Sequence, residues 1–503
     1  MRSQILRLGR NTAIYGTGQV LLRMVSLLLL PLYTSYLTPT DYGISSILGV
    51  MIYFLAPIFQ LGISSAMGIV YFAREERTER AATIWTAFAT LAASAALLAV
   101  AGWALSDRLA VTLFSASQSE YDLSYLVTLT LVTAAMSIAT HPLLARLQFE
   151  ERAKTFVAIT LGSSALSIAL SVVFIVGLRR GVAGFIEAAA IAQTVTLVVA
   201  MVVSLRGLPF KVRRTIAREL LVLGMPLIPG ILAVYVMLQG NKVLLQVGAG
   251  LGELGIYTLG FNIGLLMTLL VSGFTNAWFP FFSSFMQEQD QARPLFARVL
   301  TYYVLGAGTV SLLFFIGAQP VIRLATQPAF WGAYVSVGPS AAAQFLIGVH
   351  SILLAGMYFA KEVRFMVVIQ GAAAAVSVVL NLLLIPPWGV AGAAVALVLG
   401  FGVMIVLQHW WNVARLHFQI PYEWRRLAVF AAVYAATAVF FLWNRSWSLV
   451  AEFGLSVLAT ITVVGLVLAL LSPAERSQAR AEITRRQGRG VGPSAGPGAG
   501  SAA

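Results

Sequence analysis

The chain of 503 residues is 59% hydrophobic and only 10% charged, with a mean hydropathy of +0.86. A soluble domain carries roughly 25% charged residues, so this composition excludes a soluble protein and indicates a polytopic membrane protein. The net charge of +14 lies in short connections between apolar runs, so no nucleic acid partner is expected. The chain has no cysteine and its four histidines have no ligand-like spacing, so neither a metal nor a cofactor is expected.

Apolar runs of about 20 residues, the length that crosses a bilayer, follow one another along the chain and predict fourteen spans. These lie near 12–36, 44–72, 81–104, 125–147, 155–178, 182–205, 220–247, 255–283, 299–322, 334–358, 366–386, 391–414, 427–443 and 449–471. The connections are too short for an extramembrane catalytic domain. Function is therefore expected between the helices, without catalytic residues.

The distribution of basic residues predicts how the spans are oriented. Connections on the side of the N terminus, with the C-terminal tail, carry 26 Lys and Arg residues, and those on the other side carry five. Basic residues concentrate in cytoplasmic connections. Both termini are therefore expected in the cytoplasm, and Arg179 with Arg180 is the one local departure from the rule.

Two short motifs recur at nearly equal spacing. The sequence GVAG at 181–184 returns at 389–392, 208 residues later, and DYGI at 41–44 is answered by ELGI at 253–256, 212 residues later. The copies of each motif are separated by an even number of spans, so both face the outer side. Two halves related in this way are parallel, about an axis along the membrane normal, and such duplication is most typical of transporters.

The predicted fold is all-α, with about fourteen transmembrane helices in two parallel six-helix lobes and two additional C-terminal helices. The expected boundaries are 1–205 for the first lobe, 206–415 for the second, 416–471 for the additional helices and 472–503 for a disordered basic cytoplasmic tail.

Arg23 lies near the middle of the first predicted span, where an arginine costs about 2.5–3.5 kcal/mol on insertion scales. Its helical face is polar and includes Tyr15, Gln19 and Ser26, whereas the opposite face is apolar. One side of the helix therefore suits lipid and the other a wet cavity. Two interpretations stay open: Arg23 binds an anionic substrate, or it pairs with a carboxylate on another helix.

Lys242 is the second basic residue inside a predicted span. It shares a helical face with Tyr235 and Gln239, which favours a position in a cavity. A lysine this close to the end of its span can instead extend its ammonium group toward the interface.

Other polar residues inside the spans allow more than one role. Glu187 can bind a coupling cation or proton, or it can pair with Arg179 or Arg180. Interhelical hydrogen bonding is the usual role of buried amides in membranes; a position in the substrate cavity is the alternative for Asn262, Asn276 and Asn381.

Several of these sequences are similar to those of a known family. They are LTPTDYG at 37–43, Asn241 and Lys242 with LGIY at 254–257, and LNLLLIP at 380–386 followed by GVAGAA at 389–394. From about residue 8 to residue 471, the chain resembles the bacterial polysaccharide-biosynthesis flippases. These translocate lipid-linked oligosaccharides such as O-antigen units and belong to the multidrug/oligosaccharidyl-lipid/polysaccharide exporter superfamily.

The resemblance implies two MATE-like lobes around a central, often cationic cavity, alternating access and a bacterial inner membrane location. Arg23 stands where members of the superfamily can carry a cavity cation. Many relatives have an acidic residue where this chain has Asn241, so ion coupling at this position is in doubt. The implied partners are a lipid-linked oligosaccharide, membrane lipids and polysaccharide assembly proteins. A coupling cation, H⁺ or Na⁺, stays open.

The expected function is the flipping of an undecaprenyl-diphosphate-linked oligosaccharide to the outer leaflet, with Arg23 and Lys242 holding the diphosphate. One alternative is a flippase for the peptidoglycan-precursor lipid. Another is a cation-coupled multidrug exporter, which needs acidic groups in the cavity. A membrane glycosyltransferase or polymerase needs a catalytic cluster at a loop-bounded site, and no loop offers one. The polar face around Arg23 argues against a non-transporting scaffold.

Overall fold

The computed structural model describes residues 25, 27–114, 120–443, 448–470 and 475 of the chain. These residues form α-helices joined by short turns, and no β-strand occurs among them, so the predicted all-α class is confirmed. Eleven helical segments of this part are long and apolar enough to cross a membrane. The protein is therefore a multi-pass membrane protein.

The helices are numbered here in chain order. The first seven are α1 Leu30–Tyr36, α2 Pro39–Phe59, α3 Ile63–Phe72, α4 Arg77–Phe114, α5 Leu123–Phe149, α6 Ala153–Val172 and α7 Gly181–Leu205. The next seven are α8 Arg214–Gly224, α9 Ile228–Gly264, α10 Thr268–Ser283, α11 Gln289–Ala325, α12 Tyr334–Leu353, α13 Ala355–Phe359 and α14 Met366–Ala414. The last two are α15 Trp424–Trp443 and α16 Leu449–Leu470.

Two of the apolar segments are long enough for at least two crossings. Arg214–Ser283 has 70 residues and Val363–Ala414 has 52. Each is interrupted at a glycine with left-handed backbone, Gly250 at φ 87° and Gly389 at φ 53°, a conformation that glycine adopts readily. The interruptions fall where the sequence predicts breaks between spans. Most of the first predicted span lies outside the described residues, so the count of fourteen stays a prediction.

The second predicted span, 44–72, is not one continuous helix. It divides into α2 and α3 at Leu61 and Gly62, both with positive φ. A side chain at Gly62 would overlap the backbone of Gly224 at the end of α8. The interruption therefore accompanies a backbone contact with a residue 162 positions later in the chain, which apolar patterning alone does not indicate.

A capping box starts α2. The Thr38 hydroxyl accepts a hydrogen bond from the Asp41 backbone N–H at 3.2 Å, and the Asp41 carboxylate accepts one from the Thr38 N–H at 2.8 Å. Pro39, at the first helical position, has the backbone angle that the helix requires. This local sequence fixes the start of α2, and the DYGI motif occupies its first turns.

The two copies of the 41–44 motif contact each other. A methyl group at Gly43 would overlap the Leu251 carbonyl, and one at Gly255 would overlap the Pro39 carbonyl. One turn further along, the Thr258 hydroxyl donates to the Ser46 hydroxyl at 2.7 Å, again between residues 212 apart. Such reciprocal contacts are what a two-fold relation between two segments produces. The lobe boundaries at 205 and 415 stay a prediction.

The C-terminal helices α15 and α16 pack against α11. The hydroxyls of Ser311 and Tyr434 lie 2.7 Å apart, and Ser456 donates to the Ile316 carbonyl at 2.8 Å. Arg323, near the end of α11, forms an ion pair with the buried Glu452 at 3.0 Å. These polar contacts hold the additional helices to the body of the protein.

Replacing Gly43 or Gly255 by alanine is expected to lower stability, because the added methyl group would force α2 and α9 apart. Overpacking of this kind costs about 1–3 kcal/mol. Matched controls are Gly49→Ala in α2 and Gly252→Ala in α9, where an added Cβ meets no atom within 4 Å. Thermal unfolding of the purified variants measures the effect. Equal midpoints for Gly43→Ala and Gly49→Ala would contradict the close contact.

Candidate functional site

A cavity of about 710 Å³ opens among α1, α2, α5, α6, α7 and α9. Within the described residues, eleven of its lining side chains carry hydroxyl groups: Tyr33, Tyr42, Ser45, Ser46, Tyr53, Thr133, Ser163, Ser164, Ser167, Ser171 and Thr258. Gln193 and Asn262 add amide groups. The cavity thus has many neutral groups that both donate and accept hydrogen bonds, and they alternate with apolar side chains such as Leu30, Val50 and Phe185.

Lys242 is the only basic residue among the described side chains that line this cavity. It is 5% exposed, and it has neither a hydrogen bond nor an ion pair with any other described residue. Its Nζ atom lies 4.5 Å from the centre of the Phe261 ring, a cation–π contact. A buried ammonium without a counter-charge is unfavourable, so this position is suited to an anionic ligand.

Asp41 is the acidic residue among the described side chains that line the cavity. Its carboxylate already accepts hydrogen bonds from other residues of the protein. It accepts hydrogen bonds from the Thr38 N–H and hydroxyl, each at 2.8 Å, and one from Tyr121. Burial and the nearby Asp41 carboxylate raise the pKa of Tyr121, in the connection before α5, to about 12. The Tyr121 hydroxyl therefore stays protonated and donates to Asp41, which leaves this carboxylate poorly placed to bind a cationic ligand.

The sequence-predicted site residues of α9 divide between the cavity and the protein interior. Lys242 and Asn262 line the cavity. Tyr235 packs edge to face on the cavity residue Tyr53, with ring centres 5.4 Å apart. Gln239 is 4% exposed and lies behind the wall, with its Oε1 atom lacking a hydrogen bond in the described structure.

The other predicted residues lie away from the cavity lining or outside the described part. Glu187 forms an ion pair with Arg180 at 2.6 Å and accepts a hydrogen bond from Tyr125. Asn381 is buried in α14 and donates to the Ser377 carbonyl at 2.8 Å, and Asn276 is exposed on α10. Four further residues predicted to line the cavity lie outside the described residues: Tyr15, Gln19, Arg23 and Ser26.

The structure also brings residues to the cavity that sequence reasoning missed. The main group is four serines of α6, at positions 163, 164, 167 and 171. Their spacing of one, four and eight residues is that of one helical face. That periodicity was present in the sequence, but serines are common in membrane helices, so it did not distinguish a cavity wall from helix packing.

The family model for polysaccharide biosynthesis proteins matches residues 8–286, more than half of the chain. The chain belongs to the polysaccharide biosynthesis protein family. The resemblance found in the sequence motifs is thereby confirmed. None of the curated protein sequences matches the chain significantly.

Solved structures with the same fold include the lipid II flippase MurJ in an inward closed conformation. It has a TM-score of 0.67 and 12% identity, over 91% of this chain and 98% of MurJ. An inward-facing multidrug resistance MATE family transporter of the MOP superfamily has a TM-score of 0.63 and 15% identity, over 80% of this chain and 98% of the transporter. A MOP superfamily transporter from Pyrococcus furiosus Vc1 has a TM-score of 0.60 and 16% identity, over 82% of this chain and 95% of that transporter. These likenesses establish the fold.

Replacing Lys242 by methionine is expected to leave stability unchanged or to raise it by up to about 1 kcal/mol, because the variant buries no unpaired charge. The contrasting variant is Asn241→Ala. Asn241 is buried next to Lys242 and donates to the Tyr257 hydroxyl, so its loss is expected to cost about 1–2 kcal/mol. Thermal unfolding of the purified proteins compares the two. A clear loss of stability in Lys242→Met would mean that the ammonium has a structural partner.

Proposed function

We propose that the protein flips an undecaprenyl-diphosphate-linked oligosaccharide from the cytoplasmic to the outer leaflet by alternating access, for surface polysaccharide assembly. The observation that carries this proposal is Lys242, a buried cation in the cavity without an anionic partner among the described residues. A diphosphate supplies the missing negative charge and can accept charge-assisted hydrogen bonds from the ammonium group. Membership of the polysaccharide biosynthesis family supports a glycan as the rest of the cargo.

Arg23 remains part of the proposal as a second cation for the diphosphate. An undecaprenyl diphosphate carries more negative charge than one lysine neutralises, and the sequence places Arg23 on a polar helix face in the first span. Tyr15, Gln19 and Ser26 on the same face would then belong to the cavity. The proposed setting is a bacterial inner membrane with both termini in the cytoplasm.

The acidic residues make a cation-coupled multidrug exporter a weaker candidate. A cationic drug would need a free carboxylate in a cavity of low dielectric constant. Asp41 is held by Thr38 and Tyr121, and Glu187 is paired with Arg180. Flipping of the peptidoglycan precursor is the closer alternative, because that lipid also carries a diphosphate and the fold is that of a lipid II flippase.

A Lys242→Ala variant is expected to reduce surface polysaccharide about 10- to 100-fold, because a hydrogen bond to a charged group contributes about 1.5–3 kcal/mol. Arg23→Ala is expected to act in the same direction. The matched control is Lys154→Ala, an exposed lysine of α6 that does not line the cavity. Polysaccharide and protein levels are measured in a deletion strain that carries each variant. Normal polysaccharide in Lys242→Ala would contradict the role of this cation.

The leaflet in which the lipid-linked unit accumulates distinguishes a flippase from a polymerase. Deletion of the gene is expected to leave the lipid-linked unit in the cytoplasmic leaflet, whereas loss of a polymerase would leave it in the outer leaflet. Flipping rates measured in proteoliposomes that contain the purified protein then show directly which lipid is the cargo. Faster flipping of a peptidoglycan precursor than of an undecaprenyl-diphosphate oligosaccharide would favour the alternative lipid, and uptake of a cationic dye alone would favour an exporter.

A further inference from the structure

One wall of the cavity is a face of α6 that carries four serine side chains and Ile168. Ser163, Ser164, Ser167 and Ser171 all line the cavity. Ser171 is almost fully buried and the other three are half-buried. Because these four hydroxyls line a cavity and do not all serve helix packing, this face of α6 is suited to polar contents.

These hydroxyls keep hydrogen-bonding capacity on the cavity side. Ser163 accepts a hydrogen bond from Thr196 at 2.5 Å, and Ser164 donates to the carbonyl of Thr160 at 3.0 Å. The hydroxyl of Ser167 makes no hydrogen bond within the described part of the chain. A hydroxyl has one donor and two acceptor sites, so even the partnered serines can accept another hydrogen bond.

Lys242 is an independent sign of a ligand in the same cavity. It is more than nine-tenths buried, lines the cavity and has no anionic partner in the described structure. It belongs to a different wall from the serines, because α9 packs against α2 whereas α6 packs against α7. The cavity thus presents a cation on one wall and neutral hydroxyls on another.

We infer that the serine face of α6 binds the sugar next to the diphosphate of the cargo, while Lys242 binds the diphosphate itself. Sugar hydroxyls both donate and accept hydrogen bonds, and serine hydroxyls match them in both roles. Gln193 of α7 lines the cavity and adds an amide to the neutral lining. The inference rests on the proposed function, and it specifies that the protein recognises the uncharged hydroxyls of the glycan as well as its lipid diphosphate.

The test compares two kinds of lipid on the purified full-length protein. Native mass spectrometry measures the affinity for undecaprenyl diphosphate without sugar and for the same lipid carrying glucose, galactose or N-acetylglucosamine. The wild-type protein is expected to bind at least one sugar-bearing lipid about tenfold more tightly than the sugar-free lipid. Two additional neutral hydrogen bonds account for a difference of this size.

The variant Ser164→Ala/Ser167→Ala removes two hydroxyls from the wall. It is expected to lose the preference for sugar and to keep the affinity for undecaprenyl diphosphate, whereas Lys242→Ala weakens the binding of both lipids. The matched control is Thr160→Ala in the same helix. Its hydroxyl bonds to the Phe156 carbonyl at 3.0 Å and does not line the cavity. Thermal unfolding of each variant confirms that it folds.

The outcomes separate the inference from the proposed function. If the wild-type protein binds neither kind of lipid, the proposed function fails, and the proposed sugar binding by the serine face of α6 fails with it. The wild-type protein can instead bind both kinds of lipid without preferring the sugar-bearing one, or the serine variant can keep that preference. In either case the inference about the serine face of α6 is wrong and the flippase proposal stands. If the serine variant binds both lipids more weakly by the same factor, the inference is also overturned, because the lost affinity would not depend on the sugar.

Discussion

The backbones of α2 and α9 touch at Gly43 and Gly255, and the rest of the cavity depends on this contact. Lipid tails are as apolar as leucine side chains, so helices in a membrane associate mainly through close packing and hydrogen bonds rather than through the hydrophobic effect. Two glycines allow that packing where any side chain would prevent it. The same approach brings the hydroxyls of Ser46 and Thr258 together, and α9 then presents Lys242 and Asn262 to the cavity.

The electrostatic character of the cavity follows from which charges find partners. The Asp41 carboxylate caps a helix and accepts a hydrogen bond from Tyr121, and the Glu187 carboxylate forms an ion pair with Arg180, so both carboxylates already have partners in the protein. Lys242 has only an aromatic ring beside it. Coulomb interactions are strong where the effective dielectric constant is low. The Lys242 ammonium, which has no anionic partner among the described residues, is therefore the group in this cavity best placed to attract an anion.

The sequence was sufficient for features that depend on local composition. Long apolar runs predicted the all-α membrane fold, and the repeated GVAG was correctly placed at breaks between helices. The structure adds the reason for its two glycines. Gly181 and Gly389 have positive φ, at 55° and 53°. A side chain at Gly184 would overlap Phe174, and one at Gly392 would overlap the Leu384 carbonyl, so both glycines allow the chain to pack closely against the segment just before the break.

Features that depend on distant partners could not be predicted in the same way. Helical periodicity shows which residues share a face, but not which neighbour that face meets. Gln239 and Asn381 carry the same polar signal as Lys242 and Asn262, yet in the described structure they are buried and do not line the cavity. The break at Gly62 likewise depends on Gly224, a residue far away in the sequence.

The last helix, α16, has a consequence for how the protein sits in its membrane. Its 22 residues span about 33 Å at 1.5 Å per residue, close to the thickness of the hydrocarbon core of a bilayer. Only 6% of its apolar window is buried inside the protein, so most of this helix faces lipid. Glu452 in its first turn pairs with Arg323, and this ion pair lies at the edge of that apolar stretch. The helix therefore helps to fix the depth of the molecule in the bilayer, because vertical displacement would pull a charged pair into hydrocarbon or lipid-facing leucines and valines into water.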